Sequence, residues 1–573
     1  MIWTEKKTNK INLVKYKNQL NISTPMAKIL LSMGIDFESA KALLERPADL
    51  LDIMTDVYGQ KEVVDFISAA DEDTKIHIFA DYDVDGLTSG YIMHHYLSIT
   101  GYDCDVYYPE RSEGYGLNMD YAKSVVKAGG KQLVICVDNG ITAFEPIDYL
   151  KEHGVPVVII DHHEPLEELP SADAICDAWI DEGYGTHFCA AAVVWRVVIT
   201  LILKHATDLV AAHDLIISYL PFVALATISD VMPPHNENRA IVQLGLQMMD
   251  EGKSTVIKTL MNVENIEHMR VKDIAWTIAP ELNACSRMDN IALAERLIFK
   301  EGEDDADLKD TARAVKELNR KRKSITEKAC SELLTKNSFD KDLVCFADCS
   351  EYPMGIIGII AGKLSEATGK PAIAYQEKDG VGYGSARAPQ GVSVKDLVNI
   401  EASKGNAVGA LGHAEACGVQ ILPEKIKSFN RDLIESGVVV EAEKAEPTEQ
   451  TVLLDAVITP DDMSYDVRRE INSFGYTSKD IPRIGILDAE VEALPWETSS
   501  GKRHLILSMK DSKGKDKYAV VWNGLDDYEA MGCPKKVNMA GTLDNGSFCR
   551  YFRGARIGEH STILTVDILE GAA

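Results

Sequence analysis

The chain has eleven cysteines in 573 residues but no CxxC pair, which removes the usual zinc-knuckle and dithiol arrangements. Their scatter, with Cys136 inside an apolar run and Cys285 beside a polar stretch, fits buried reduced thiols of a cytoplasmic protein. Positive charge is also short. Sixty Lys and Arg stand against 89 Asp and Glu, a net charge of −29, which weighs against a protein that holds nucleic acid on one broad basic face. A metal site would bring positive charge of its own. Local basic runs also exist: Arg320-Lys321-Arg322-Lys323 reads equally as a solvated helix face or as a contact surface. There is no internal repeat and no low-complexity tract. No apolar run is long enough to span a membrane, and the start MIWTEKKTNKINLVKYKNQL has no apolar leader core. What remains is an ordinary soluble composition, 46% hydrophobic and 26% charged, in a chain too long for one core; three or four domains are expected.

Against these absences stand three clusters of one layout. Asp161-His162-His163 directly follows Val157-Val158-Ile159-Ile160. Asp81-Tyr82-Asp83-Val84-Asp85-Gly86 follows Ile76-His77-Ile78-Phe79-Ala80, and Asp138-Asn139-Gly140 follows Leu133-Val134-Ile135-Cys136-Val137. Short β-branched runs bounded by turn residues read as buried strands of a parallel sheet. Ligands of such sheets bind beyond the carboxyl ends of the strands, so carboxylates and imidazoles gather at one edge. Like charges packed so closely are costly unless cations lie between them. Carboxylate and imidazole donors without thiolate suit Mn²⁺ or Mg²⁺. Two such ions about 3.5–4 Å apart would suit displacement at a phosphoryl group. In this reading Asp138 bridges the ions and His162 is a ligand. Asp161 either supports His162 or caps a helix, and Asp230, at the end of the buried segment Leu220–Met232, completes the second ion. His77 reads as a packed histidine, and His94 and His95 as structural.

Residues 1–59 read as a helical segment and 60–300 as an α/β catalytic domain with a parallel sheet. The charged amphipathic stretch within 301–338 reads as one long bridging helix, 339–438 as a second α/β domain, and 439–573 as a linker followed by a strand-rich unit with tight turns. The linker makes the tail a separable unit. Trp522, Tyr551 and Phe552, with Arg550, Arg553 and Arg556, are its candidates for stacking on bases and holding phosphates, while Trp522 reads at least equally as barrel core.

At this point the chain resembles the DHH phosphoesterase superfamily and, within it, the RecJ single-stranded-DNA exonucleases. The resemblance is carried by FADYDVDGLTS, YYPERSEGYGLN, VDNGIT, DHH and ATISDVMPPHNENR. It continues in IAPELNACSR, ELNRKRKSI, GIIGIIAGKL, GYGSARAPQGVSV and GHAEACG, the last two similar to a DHHA1 domain. It implies a DHH domain, a DHHA1 domain and a C-terminal β-barrel of the oligonucleotide-binding (OB) type. By resemblance Asp83, Asp85, Asp138, His162 and Asp230 are metal ligands, with Asp81 a further candidate. His163 touches the scissile phosphate, with Asp161 beside it in the catalytic pair. Arg111, Ser385 and Arg387 hold a 5′-terminal phosphate, and Arg287 and His413 line the groove between lobes.

Several positions depart from the family pattern. Glu281 stands where arginine is expected and Ser286 where glycine is. Pro353 replaces a histidine, Leu411 replaces the first glycine of GGH, and the PFGxGNP stretch is reduced to Ser473-Phe474-Gly475-Tyr476. The implied function is a two-metal 5′→3′ exonuclease that degrades single-stranded DNA to 5′-mononucleotides in repair and recombination. Single-stranded DNA is its substrate, a single-strand-binding protein or helicase its expected partner, and no membrane is involved. The alternatives are a phosphodiesterase for short oligonucleotides or cyclic dinucleotides, which the barrel argues against, and a non-catalytic scaffold, which the intact acidic set argues against.

Overall fold

A computed structural model describes residues 1–51, 57–180, 188–336, 339, 342–436, 451–498, 501–545 and 561–572. The apolar runs before the three motifs are adjacent strands. They are β1 (Lys75–Ala80), β3 (Gln132–Val137) and β4 (Val157–Asp161), joined by β2 (Cys104–Tyr107) and β5 (Ala174–Asp177). The sheet is wholly parallel, with spatial order β2-β1-β3-β4-β5. Strands β3 and β4 are buried at every position, as expected for a sheet with helices on both faces. The order reverses between β1 and β3. That is the switch point where the loops part and leave a crevice, and it falls between Asp81–Asp85 and Asp138.

Helices α1 (Val84–Ile99) and α2 (Ala190–His205) pack on this sheet, α3 (Leu220–Ser229) packs on both of them, and α4 (Asn236–Asp250) packs on α3. The stretch Leu209–Ser229 is apolar and long enough to cross a membrane by composition and length, but every residue of α3 is buried except Ser229, against α1, α2 and α4. It serves as a core helix. Helix α5 (Ala279–Arg287) leads to the long helix α6 (Ala306–Lys336), whose 31 residues span roughly 46 Å. The second α/β unit has a five-stranded mixed sheet with cores of its own, and its helix α7 (Ile357–Thr368) packs on that sheet.

The C-terminal region forms a seven-stranded sheet running from Ala456–Val457 at one edge to Glu492–Glu497 at the other. These edges do not pair with each other among the described residues, so the sheet is compatible with the expected OB-type unit, while its closure into a barrel is not seen there. Tyr551, Phe552, Arg550, Arg553 and Arg556, and the linker 439–450, lie outside the described residues. Trp522 is half-exposed, its ring 4.9 Å from His504 and 5.8 Å from Trp496.

Two expectations change. The first residues are not helical: Ile2–Glu5 is a strand paired in parallel with Thr451–Leu454. The tail is also not separable by its packing. Ala456, Phe474, Tyr476, Leu505 and Leu543 belong to the same apolar core as Met26, Ile78 and Leu225.

Candidate metal centre

The crevice is assembled from four chain segments, and each carboxylate is aimed by local backbone bonding. Asp83 caps α1, its Oδ1 accepting from the N–H groups of Asp85 (2.9 Å) and Gly86 (3.2 Å). Asp85 accepts from the first amides of α2, Ala190 (2.7 Å) and Ala191 (2.8 Å). Gly86 is needed because a Cβ there would stand 2.3 Å from the Asp81 carbonyl oxygen. Asp138 turns out of β3 at φ +61°, the left-handed region that aspartate tolerates better than most residues. Val231, which follows Asp230, is also held at positive φ, +55°, an outlier for a β-branched residue and a sign of a constrained loop.

Oxygen and nitrogen atoms of Asp81, Asp83 and Asp138, of Asp85, His162 and Asp230, and of Asp138, His162 and His163 come within 4.8 Å of one another in each set. His162 Nδ1 lies 3.1 Å from the Phe188 carbonyl oxygen, which can only accept, so Nδ1 carries the proton. Its Nε2 lone pair then faces Asp138 at 3.3 Å, Asp85 at 3.6 Å and Asp230 at 3.8 Å. Burial, with the neighbouring His163, holds His162 down to about 4, so it stays neutral. A lone pair against three carboxylates is repulsive unless a cation stands between them, as in a metal-ligating imidazole whose other nitrogen donates to a carbonyl. The oxygens say the same: Asp81 Oδ1 and Asp138 Oδ1 are buried with no hydrogen-bond donor. Burial and mutual repulsion push Asp85 up to about 7 and Asp230 up to about 8, and raise Asp81 and Asp138 as well. Without cations this cluster has to take up protons. The residues fit divalent metal.

Asp161 belongs to a different part of the site. No helix follows it, and its Oδ1 accepts from His163 Nδ1 at 2.8 Å and from the backbone N–H groups of His162 and His163, while Oδ2 accepts from Ile141 N–H. It therefore orients His163, not the His162 ring. Burial opposes a charge on His163, but the Asp161 bond and its negative neighbours raise it to about 9.

Beside the Asp81–Asp83 edge runs a groove of 710 Å³ between the two α/β units, lined by Tyr82, Arg111, Arg287, Ser385 and Arg387. The Arg111 guanidinium lies 4.1 Å from the Tyr82 ring centroid, and its Nε donates to Ser286 Oγ at 3.2 Å, the hydroxyl at a position where glycine is expected from the resemblance. Burial, with Arg111, Arg322 and Arg387 nearby, lowers Arg287 to about 10, the mark of cations gathered without their anion. His413 is exposed and not among the groove-lining residues, whereas Leu411 is.

Sequence reasoning missed three groups. The Tyr115 hydroxyl is 3.2 Å from His163 Nε2; the residue lies inside a motif already singled out, but nothing in its spacing marks it. Tyr82 sits between two ligand candidates and becomes a stacking platform. Within the basic run on α6, Arg320 is exposed and paired with Glu317, while Arg322 is half-buried near Arg287; helical periodicity separates the two faces once the helix is placed. Of the histidines set aside, His77 lies 3.0 Å from Asp105 and His95 lies 2.7 Å from the Tyr219 hydroxyl, both outside the site.

Glu281 shows what a departure costs. Burial and the neighbouring Glu264 carboxylate push it up to about 8, against the pull of Lys316 and Lys323. The folded protein therefore keeps a proton that the unfolded chain releases near 4.5, and the associated stability is lost as pH rises through about 8. Glu281→Gln should raise the melting temperature at pH 8.5 and leave it nearly unchanged at pH 5. Equal shifts at both pH values in a calorimetric scan would remove this account.

The DHH family, N-terminal domain, matches residues 75–227, and the DHHA1 domain matches residues 342–436. The single-stranded-DNA-specific exonuclease RecJ of Bacillus subtilis is 30% identical over 446 residues, 76% of this chain but 55% of that protein, so the chain spans only about half the length of this relative. The proteins of the same name from Haemophilus influenzae and Escherichia coli are 27% and 28% identical, over 80% and 78% of this chain and 82% and 80% of theirs. Among solved structures, RecJ from Thermus thermophilus in complex with Mn²⁺ superposes with a TM-score of 0.76 at 20% identity, covering 100% of this chain and 80% of that one. An exonuclease RecJ bound to manganese gives a TM-score of 0.59 at 24% identity, over 69% of this chain and 98% of that one. At these identities the structural likeness speaks for the fold.

Proposed function

We propose that the chain belongs to the DHH–DHHA1 phosphoesterases, in their RecJ branch, and that it is a manganese- or magnesium-dependent exonuclease that removes 5′-mononucleotides from single-stranded DNA. The observation that carries this reading is the His162 lone pair facing three carboxylates, beside a groove rich in unneutralised arginine. Asp81, Asp83, Asp85, Asp138, His162 and Asp230 would hold two ions. Bound there, the ions would polarise the scissile phosphate and acidify the attacking water.

The remaining work falls to the protein's own side chains. Arg111, Arg387 and Ser385 hold the 5′-terminal phosphate in the groove, and Arg287, whose Nη1 donates to the Gly355 carbonyl at 3.1 Å, adds positive charge beside them. Asp161 fixes the His163 ring through Nδ1, so that Nε2, beside the Tyr115 hydroxyl at 3.2 Å, can turn its proton to an oxygen of the scissile phosphate. Water then attacks phosphorus between the first and second nucleotides, and the 3′-oxygen of the first leaves. The single strands on which such an enzyme acts are exposed or coated by other proteins, so a helicase or a single-strand-binding protein is the partner class proposed, in the cytoplasm.

A substrate panel tests the reading. In Mn²⁺, single strands should be consumed well ahead of blunt duplex and of cyclic dinucleotide. Preference for cyclic dinucleotide would favour the small-phosphodiester alternative, and no turnover on any substrate the scaffold. Arg387→Ala tests the 5′ pocket. A charge-assisted bond to phosphate contributes roughly 1.5–3 kcal/mol, so kcat/KM on a 5′-phosphorylated strand should fall about tenfold or more. The 5′-hydroxyl strand should change less. An unaltered ratio between the two strands would remove Arg387 from the pocket.

A further inference from the structure

The segment Ser473–Pro482 leads from the helix Tyr465–Asn472 toward the C-terminal sheet, and on the way it lies against the end of α3 that presents Asp230. Ser478 Oγ donates to the Ile228 carbonyl at 2.6 Å, two residues before Asp230. Asp480 pairs with the buried Arg239 at 2.5 Å and accepts from Thr477 N–H at 2.7 Å, and Arg239 NH1 donates to the Gly475 carbonyl at 3.3 Å. The backbone of Lys479, whose own N–H donates to Thr477 Oγ1 at 3.3 Å, is thus held from both sides. Its side chain is exposed and has no hydrogen bond or ion pair among the described residues.

We propose that Lys479 is a substrate-binding residue that holds the backbone phosphate immediately 3′ of the scissile linkage. This rests on the exonuclease reading above. The arginines share their groove with Tyr82, between Asp81 and Asp83, whereas Lys479 follows Ser478, which is bonded two residues before Asp230. A strand with its 5′-phosphate among the arginines and its first linkage at the carboxylates carries its next phosphate toward Lys479. Once cations occupy the carboxylates, that phosphate is the anion left for the ammonium, which binds phosphate as a compact point charge. The C-terminal region then does more than brace the first domain: it delivers one charge of the substrate site.

The test compares the parent, Lys479→Ala and Lys479→Arg on a 5′-phosphorylated single strand, and on the same strand with one neutral methylphosphonate at the linkage 3′ of the first. Lys479→Ala should raise KM about tenfold with little change in kcat, and Lys479→Arg should restore most of it. The slope of log affinity against log salt should become shallower by about 0.7, the value of one lost single-strand phosphate contact. The neutral linkage should weaken the parent by a similar factor and Lys479→Ala hardly further. The proposal is overturned if Lys479→Ala matches the parent, or if it changes only the Mn²⁺ concentration needed for half-maximal activity, because Lys479 then serves Asp230 and not the strand. Equilibrium binding in Mn²⁺ of the same strands carrying a non-hydrolysable methylene phosphonate at the first linkage separates the two readings. A parent that cleaves nothing defeats the exonuclease reading, and the ratio of parent to Lys479→Ala affinities still decides the contact.

Discussion

Asp138→Asn should lose about a thousandfold or more in kcat on single-stranded DNA while remaining folded. Asparagine is the informative replacement because residue 138 sits at φ +61°, which asparagine tolerates and alanine does not. The substitution removes one charge from the set in which Asp81, Asp83 and Asp138 approach one another and also from the face opposite His162 Nε2. Losing about 4 kcal/mol of transition-state charge stabilisation corresponds to about a thousandfold in rate. Stability should move the other way. Burial and the charges of Asp85, Asp83, Asp81 and Asp161 all disfavour the Asp138 carboxylate, so the variant should melt at or above the parent in EDTA. The rise in melting temperature that Mn²⁺ gives the parent should shrink in the variant. Parent-like turnover in Mn²⁺ would remove Asp138 from the centre.

Removing everything after about residue 445 should abolish soluble, folded protein. From its turns and linker the sequence suggests a detachable tail, and the packing contradicts that. The cut would strip Phe474, Tyr476, Ile484 and Leu505 from a core they share with the first domain, and each fully buried side chain of this size contributes about 1.5–3 kcal/mol. It would also leave Arg239 buried without Asp480, and Ile2–Glu5 without its partner strand. A milder version is Gly475→Ala. A Cβ at residue 475 would stand 2.0 Å from the Arg239 carbonyl oxygen, so the segment would have to lift from α4, at about 3 kcal/mol. A drop in melting temperature for Gly475→Ala, and an insoluble or unfolded 1–445 fragment, are the expected results. A soluble fragment with a cooperative transition would contradict the shared core.

The parallel sheet and its acidic edge are legible in the sequence because both signals are local. Each motif follows a largely apolar run, broken only by His77, and the chain leaves each strand in the same direction. Asp230 is legible for a similar reason, as the polar end of a buried helix. The role of Asp161 is not. Whether its carboxylate serves His162 or His163 depends on the ring orientation that the Phe188 carbonyl imposes from 26 residues away. Strand Ile2–Glu5 is invisible for want of length, with its pairing partner about 450 residues distant. The strand order of the C-terminal sheet depends on register, which alternating apolar residues do not encode uniquely. Tyr115, Arg322 and Lys479 share one cause. Each is an ordinary polar residue that gains its meaning only when a second segment is placed beside it.

The central claim is tested most directly by a time course on one single strand labelled at its 5′ end, in Mn²⁺ with an EDTA control. If the arginine groove receives the 5′ end and the carboxylates sit one linkage away, labelled mononucleotide should be the first product and remain the dominant one from the earliest time point, with no ladder of shortened labelled strands and none of it in EDTA. A ladder of labelled intermediates that shortens from the far end, or cleavage that persists in EDTA, would contradict the polarity or the metal centre on which the account depends.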